Sequence, residues 1–101
     1  MSDEENVELK FDYSPKVFQK LKSKHGVTEK EFRECFNNSD GRSLEDSRPN
    51  HITEPATLWF IALTDAGREL KICYMLDDNT VCIKTAYQPN SEEKRIFKKY
   101  A

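Results

Sequence analysis

The densest apolar stretch of the chain runs from Thr57 to Tyr87, and its hydrophobic positions fall into three segments. Asp65-Ala66-Gly67 separates the first segment from the second, and Asp78-Asn79 separates the second from the third. Glycine, asparagine and aspartate tolerate the positive φ angles of tight hairpin turns, whereas β-branched and aromatic residues favour strands. The pattern therefore predicts a three-stranded antiparallel meander with Gly67 in a left-handed conformation.

The two predicted turns fix a register for this meander. The expected partners are Leu58 with Tyr74, Phe60 with Ile72, Ile72 with Thr85, and Tyr74 with Ile83. One face is apolar, and helices should pack on it; it carries Leu58, Phe60, Ala62, Leu70, Ile72, Tyr74, Val81 and Ile83. The second face mixes apolar and charged residues, namely Trp59, Ile61, Leu63, Lys71, Cys73, Cys82, Lys84 and Ala86. Such a mixture indicates either a binding face or a face covered by another element.

Two helices are predicted before the meander. Ser14-Pro15 supplies an N-cap followed by proline at the first helical position, and Gly26 is a typical helix stop, so the first helix spans about residues 15–25. Thr28 and Glu31 form a capping box for a second helix that should end near Asn37. Before both helices, apolar and polar residues alternate over positions 7–12, which predicts a short first strand.

A last helix is predicted after the meander, because Asn90 and Glu93 repeat the capping box before an apolar stripe of Ile96, Phe97 and Tyr100. The polar segment 42–56 contains two prolines and should form at most a short edge strand over residues 43–46. We therefore predict one α+β domain over residues 1–101, with residues 1–6 disordered. Its antiparallel sheet should have three to five strands, with two N-terminal helices and one C-terminal helix.

Composition narrows the classes of function. The net charge of −2 over 101 residues argues against a surface devoted entirely to nucleic acid, although a local basic patch is compatible with it. No apolar run is long enough to cross a bilayer, and the acidic start MSDEENVELK is unlike a secretory signal, so we expect a cytoplasmic protein without a membrane partner. Three cysteines without CxxC spacing indicate reduced thiols. No cofactor motif or metal-ligand spacing occurs, so neither a cofactor nor a metal is expected.

The remaining candidates for chemistry are histidines, basic residues and two aromatic residues. His25 ends the first helix, where it is either a structural imidazolium favoured by the helix dipole or an acid/base or phosphate-contacting group. His51 lies in the predicted loop and is either a solvated or a functional residue. Arg48, Arg68, Lys84 and Arg95 are each either phosphate ligands or solvated charges. Trp59 is either buried or a stacking platform, and Tyr87 is either core or a polar site residue.

Three segments resemble the BrnT family of bacterial type II toxins: KHGVTEKEFRECF at 24–36, TLWFIALTDAGRELKICYM at 57–75 and IKTAYQPNSEEKRIFKKY at 83–100. The resemblance covers most of the chain from about residue 9 onward. It implies a RelE-like fold, metal-independent cleavage of RNA, and neutralisation by a DNA-binding antitoxin. The residues to which it points are Lys24, His25, Arg48, Lys84, Tyr87 and Arg95, which would act on the scissile phosphate.

Two other interpretations stay open. Where BrnT proteins end the last strand with an arginine-containing run, this chain has CIKTAY at 82–87, and that loss favours a non-catalytic binding module or homodimer of the same fold. Its partner-binding residues would be Trp59, Ile61 and Lys71, together with Lys84 on the same predicted face. The chain also resembles a subgroup of small bacterial proteins often named ADP-ribosyl-(dinitrogen reductase) hydrolase, which supplies a third interpretation by name.

Overall fold

A computed structural model describes residues 10–46, 56–77 and 80–101 of the chain. The predictions for residues 1–6, for Arg48 and His51, and for the turn at 78–79 lie outside these residues. The strands are β1 (Lys10–Asp12), β2 (Leu44–Glu45), β3 (Thr57–Leu63), β4 (Glu69–Asp77) and β5 (Thr80–Tyr87). The helices are α1 (Pro15–Lys20), which continues into a π-helical segment (Leu21–His25), α2 (Glu29–Asn38) and α3 (Ser91–Tyr100).

The five strands form one sheet in the order β1-β5-β4-β3-β2. The α+β class is therefore confirmed, and Leu44–Glu45 is the short edge strand expected between residues 43 and 46. The prediction of an antiparallel sheet is wrong for one pair, because β1 runs parallel to β5 and the sheet is mixed. A parallel pair needs a long connection, and the two helices and the meander between β1 and β5 provide it.

The hairpin between β3 and β4 has the predicted register. Phe60 pairs with Ile72 and Leu58 pairs with Tyr74. The Thr64 N–H donates to the Arg68 carbonyl at 2.8 Å, which closes a three-residue loop in which Gly67 has a φ of 88°. Because a left-handed φ strains any residue with a Cβ, glycine suits this position.

The pairing of β4 with β5 contains a β-bulge that the sequence pattern did not predict. Tyr74 pairs with Ile83 as expected, but Cys73 pairs with Thr85, so Lys84 has no partner residue in the ladder. Relative to a regular ladder, a bulge of one residue moves every later side chain of its strand to the opposite face of the sheet. Ile72 therefore pairs with Ala86 instead of Thr85, and Ala86 belongs to the buried core instead of the second face.

The helices begin and end where their caps indicate. Ser14 Oγ accepts a hydrogen bond from the Val17 N–H, and the π-helical segment ends at Gly26, whose φ is 61°. The predicted helix of about 15–25 is confirmed in extent, although its last five residues are π-helical. Both predicted capping boxes, at the starts of α2 and α3, are formed.

The helices lie on both faces of the sheet, whereas the pattern placed them on one. The π-helical segment and α2 bury Leu21, Val27 and Phe32 against the apolar first face. Helix α3 lies across the second face, where the Phe97 ring is 5.8 Å from the Trp59 ring. Burying a side chain such as Phe32 contributes about 1.5–3 kcal/mol, so the first face supplies most of the hydrophobic stabilisation.

Candidate functional site

A buried lysine lies on the second face, under α3. Lys71 is on β4, between Ile61 of β3 and Tyr87 of β5, and only 8% of its surface is exposed. Its Nζ donates to Glu93 Oε2 at 2.7 Å and to the Tyr87 hydroxyl at 3.2 Å, and it lies 4.5 Å from the centre of the Trp59 ring. A buried charge is tolerated only when it is paired and hydrogen-bonded. These contacts supply that compensation.

Glu93 serves two elements at once. Its Oε1 accepts the Asn90 N–H at 2.9 Å and so caps α3, while its Oε2 accepts from Lys71 and, at 2.9 Å, from the Tyr87 hydroxyl. The capping role follows from the sequence spacing. The contact with Lys71 joins residues 22 positions apart, and no local pattern predicts it.

Charge states follow from these contacts. Burial disfavours the ammonium form of Lys71, but the hydrogen bonds to Glu93 and Tyr87 outweigh it, so the pKa of Lys71 is raised. Burial likewise disfavours the Glu93 carboxylate, and the bonds from Lys71 and Asn90 nevertheless hold its pKa below the usual value. Burial raises the pKa of Tyr87. At neutral pH the cluster therefore holds an ammonium, a carboxylate and a neutral phenol.

His25 reaches this cluster from the other side of Tyr87. It is the last residue of the π-helical segment, and its ring centre lies 5.6 Å from that of Tyr87. Burial lowers the pKa of His25, and the charges of Lys20 and Lys24 lower it further. The imidazole is therefore neutral at pH 7 and able to accept a proton.

Arg68 fixes the backbone that carries His25. Its guanidinium donates to the carbonyls of His25 at 2.9 Å and Gly26 at 2.8 Å, and it pairs with Glu31 at 3.0 Å. The sequence offered Arg68 as a phosphate ligand or a solvated charge. In the structure, Arg68 instead links the β3–β4 hairpin to the end of the π-helical segment, and in this way it positions His25.

An exposed row of lysines leads to His25. Lys16, Lys20 and Lys24 recur every four residues along α1 and the π-helical segment, and no acidic residue occurs between Asp12 and Glu29. Within the described residues, none of the three lysines takes part in an ion pair or a side-chain hydrogen bond. Since Lys20 and Lys24 both lower the pKa of His25, the positive potential of the row extends to the imidazole. The row is a local basic patch of the kind with which the net charge of −2 is compatible.

The other predicted site residues are dispersed. Lys84 is exposed at the β5 bulge. Arg95 is exposed on α3 and pairs with Glu92. Of the phosphate-binding candidates that the structure describes, Lys24 and His25 lie together, with Tyr87 against the histidine ring and Arg68 on the His25 carbonyl.

The second face is covered rather than open, which was one of the two alternatives. Trp59 is 9% exposed, and Ile61 is half-buried. A cavity of about 480 Å³ remains between β2 and α3, and Glu45, Asp46, Lys71 and Glu93 supply its charged lining beside Trp59. Because carboxylates outnumber cations among the described residues that line it, this part of the cavity is a poor receptor for phosphate.

The described ranges contain no group of three or more histidine, cysteine, aspartate or glutamate side chains arranged to hold a metal ion. All three cysteines lie in those ranges, and none of them forms a disulfide. Among the described helices, none is long and apolar enough to cross a membrane. Comparison of the chain with protein-family models and with curated proteins found no match to either.

Proposed function

We propose that this protein is a BrnT-like toxin or toxin-derived domain of RelE-like fold, which cleaves RNA without a metal at His25. The observation that carries the proposal is the lysine row, which forms no ion pair among the described residues and leads to a neutral imidazole. Ammonium groups without acidic partners are available to neutralise phosphates. A neutral histidine beside such a row can serve as a general base.

The chemistry requires few groups. His25 accepts the proton of a ribose 2′-hydroxyl while that oxygen attacks the adjacent phosphorus. The P–O5′ bond then breaks, the 5′-oxygen takes a proton from water, and the His25 imidazolium gives its proton to the hydroxide that remains. The products are a 2′,3′-cyclic phosphate and a 5′-hydroxyl. Lys20 and Lys24 offset the charge that grows on the phosphoryl oxygens. Tyr87, which is held by Lys71 and Glu93, positions the imidazole through ring contact.

The resemblance adds the biological setting of this proposal. A protein of this type acts in the cytoplasm and is neutralised by a DNA-binding antitoxin. Inducing it alone in a bacterium should therefore arrest growth and degrade RNA, and producing the antitoxin should restore growth.

The direct test uses purified protein and a single-stranded RNA in buffer containing a chelator. Replacing His25 with glutamine should slow cleavage by about 10²–10⁴-fold, which is the usual contribution of a general base. Lys20→Ala and Lys24→Ala should weaken RNA binding and flatten its salt dependence. Lys98→Ala is the matched control, because Lys98 is also exposed but lies on α3. Intact RNA, or equal rates for the wild type and His25→Gln, would reject the proposal.

A second candidate function is a non-catalytic binding module. It is favoured by the pairing of Arg95, a candidate phosphate ligand whose charge is directed at Glu92 instead of a ligand. Under this alternative, induction leaves growth and RNA unchanged. The protein would then associate with itself or with a partner, and sedimentation equilibrium of the purified chain would detect the homodimer.

A further inference from the structure

One half of strand β3 has an open edge. β2 pairs only with Trp59 and Leu58, so the outer side of β3 beyond Trp59 has no strand partner among the described residues. The Thr64 N–H donates to Arg68 in the β3–β4 hairpin, which shows that even-numbered residues of β3 direct their N–H and C=O groups at β4. In an antiparallel ladder the odd-numbered residues then direct theirs outward. On the half of β3 beyond Trp59, the residues whose N–H and C=O groups point outward are therefore Ile61 and Leu63.

A groove runs along this edge. It has a volume of about 630 Å³ and follows the chain from Ile61 to Asp65, with Phe97 of α3 on one side and Asn38 to Asp40 at the end of α2 on the other. Leu63 is 50% exposed there. Its carbonyl accepts one hydrogen bond from Asn38 Nδ2 at 2.9 Å and has a second lone pair for another donor. An apolar wall and hydrogen-bonding backbone groups thus face the same groove.

The two walls of the groove differ in charge. The Phe97 wall, with Ile61 and Leu63, is apolar. The opposite wall carries the carboxylates of Asp40, which Arg42 partly offsets, and Asp65, which accepts from the Asn38 amide at 3.0 Å. No lysine or arginine lines the described part of this groove. Successive side chains of an extended peptide point to opposite walls, so alternating apolar and basic residues would match both.

We infer that the open edge of β3 binds an extended segment of a protein partner by strand addition, with apolar residues toward Phe97 and basic residues toward Asp40 and Asp65. Main-chain hydrogen bonds to Ile61 and Leu63 supply the affinity, and the two walls supply the side-chain preference. The groove lies at the β3 edge, two strands away from β5 and the His25 region. The inference is therefore independent of the proposed nuclease activity.

The probe is the capped peptide acetyl-Val-Lys-Val-Lys-Val-Lys-amide, titrated into the ¹⁵N-labelled full chain. Binding should shift the amide signals of Ile61 and Leu63 and slow their hydrogen exchange. N-methylation of the backbone nitrogens along one edge of the peptide removes the hydrogen-bond donors that would pair with β3. That peptide should bind at least about 10-fold more weakly than a second peptide methylated along its other edge. Equal binding by the two methylated peptides would overturn the inference, and so would shifts confined to other regions.

Leu63→Ser and Leu76→Ser are matched variants, since both leucines are exposed on strands but only Leu63 lines the groove. Leu63→Ser should weaken peptide binding several-fold, and Leu76→Ser should leave it unchanged. Asp65→Asn should reduce the preference for the lysine peptide over one with serine at those positions. No binding at millimolar peptide would refute the inference. A second copy of the chain occupying the edge, seen as a dimer that excludes the peptide, would refute it as well.

Discussion

The starts of α2 and α3 use the same device in different surroundings. Each begins with a capping box whose glutamate also binds a cation from the β3–β4 hairpin or β4: Glu31 binds Arg68, and Glu93 binds Lys71. The side chains of the first pair are 37% and 23% exposed, whereas those of Lys71 and Glu93 are 10% and 18% exposed. The comparison teaches that one sequence motif can give a solvated connection or a buried ion pair, depending on which element covers it.

The largest expected effect is that of Glu93→Gln. Glutamine still serves in a capping box, so this change removes the charge and leaves the cap. Lys71 would then be a buried ammonium without a counter-ion, which costs about 3 kcal/mol of the free energy of unfolding. Urea denaturation, monitored by circular dichroism, measures this loss of unfolding free energy. A loss as small as that of Glu31→Gln would contradict the distinction between the two sites.

Glu31→Gln should destabilise the fold less, by about 1 kcal/mol or under, because water screens the more exposed Arg68 pair. The same denaturation experiment measures this loss. A loss matching that of Glu93→Gln would mean that burial does not separate the pairs.

The double variant Lys71→Met, Glu93→Gln should recover most of the stability lost in Glu93→Gln. Replacing both partners of a buried pair with uncharged residues is often neutral, and methionine retains much of the apolar body of lysine. We expect its unfolding free energy to lie within about 1 kcal/mol of the wild type. If the double variant were as unstable as Glu93→Gln, the cost would lie in the altered cap or packing and not in the uncompensated charge.

The smallest effect concerns pH and His25. Its pKa is lowered in the fold, so below pH 6.5 the unfolded chain binds a proton that the folded chain resists. Stability should therefore rise with pH from the folded pKa up to about 6.5 and be independent of His25 above it. Comparing the wild type with His25→Gln between pH 5 and 8 isolates this contribution. A His25 titration by NMR at or above pH 6.5 would contradict it.

Local chemistry made much of this fold predictable. The caps at Ser14, Thr28 and Asn90, and the turn at Gly67, each depend on residues a few positions apart. The sequence singled out His25 and Tyr87 separately as candidates for chemistry, and the resemblance added Lys24, but no sequence pattern indicated that the rings of His25 and Tyr87 lie 5.6 Å apart. The RNA-cleaving role itself stays a prediction.

What the sequence did not predict depends on contacts between distant residues. Nothing near Lys84 signals the bulge, because Thr, Lys and Ala all occur in regular strands. The bulge changed the face of Ala86 and placed Tyr87 beside Lys71. The pairing of Lys71 with Glu93 required knowing that α3 covers the second face, and an amphipathic pattern does not state which surface a helix will cover.

The double role of Glu93 has a consequence for how α3 opens. An isolated helix end frays residue by residue, since each terminal hydrogen bond is lost separately. Here, releasing the first turn of α3 also separates Glu93 from Lys71 and Tyr87. The amides of Glu93 and Lys94, which donate to Asn90, should therefore exchange with solvent together, in one cooperative opening event that also exposes Trp59. The start of α3 should therefore be more protected than the end of an isolated helix.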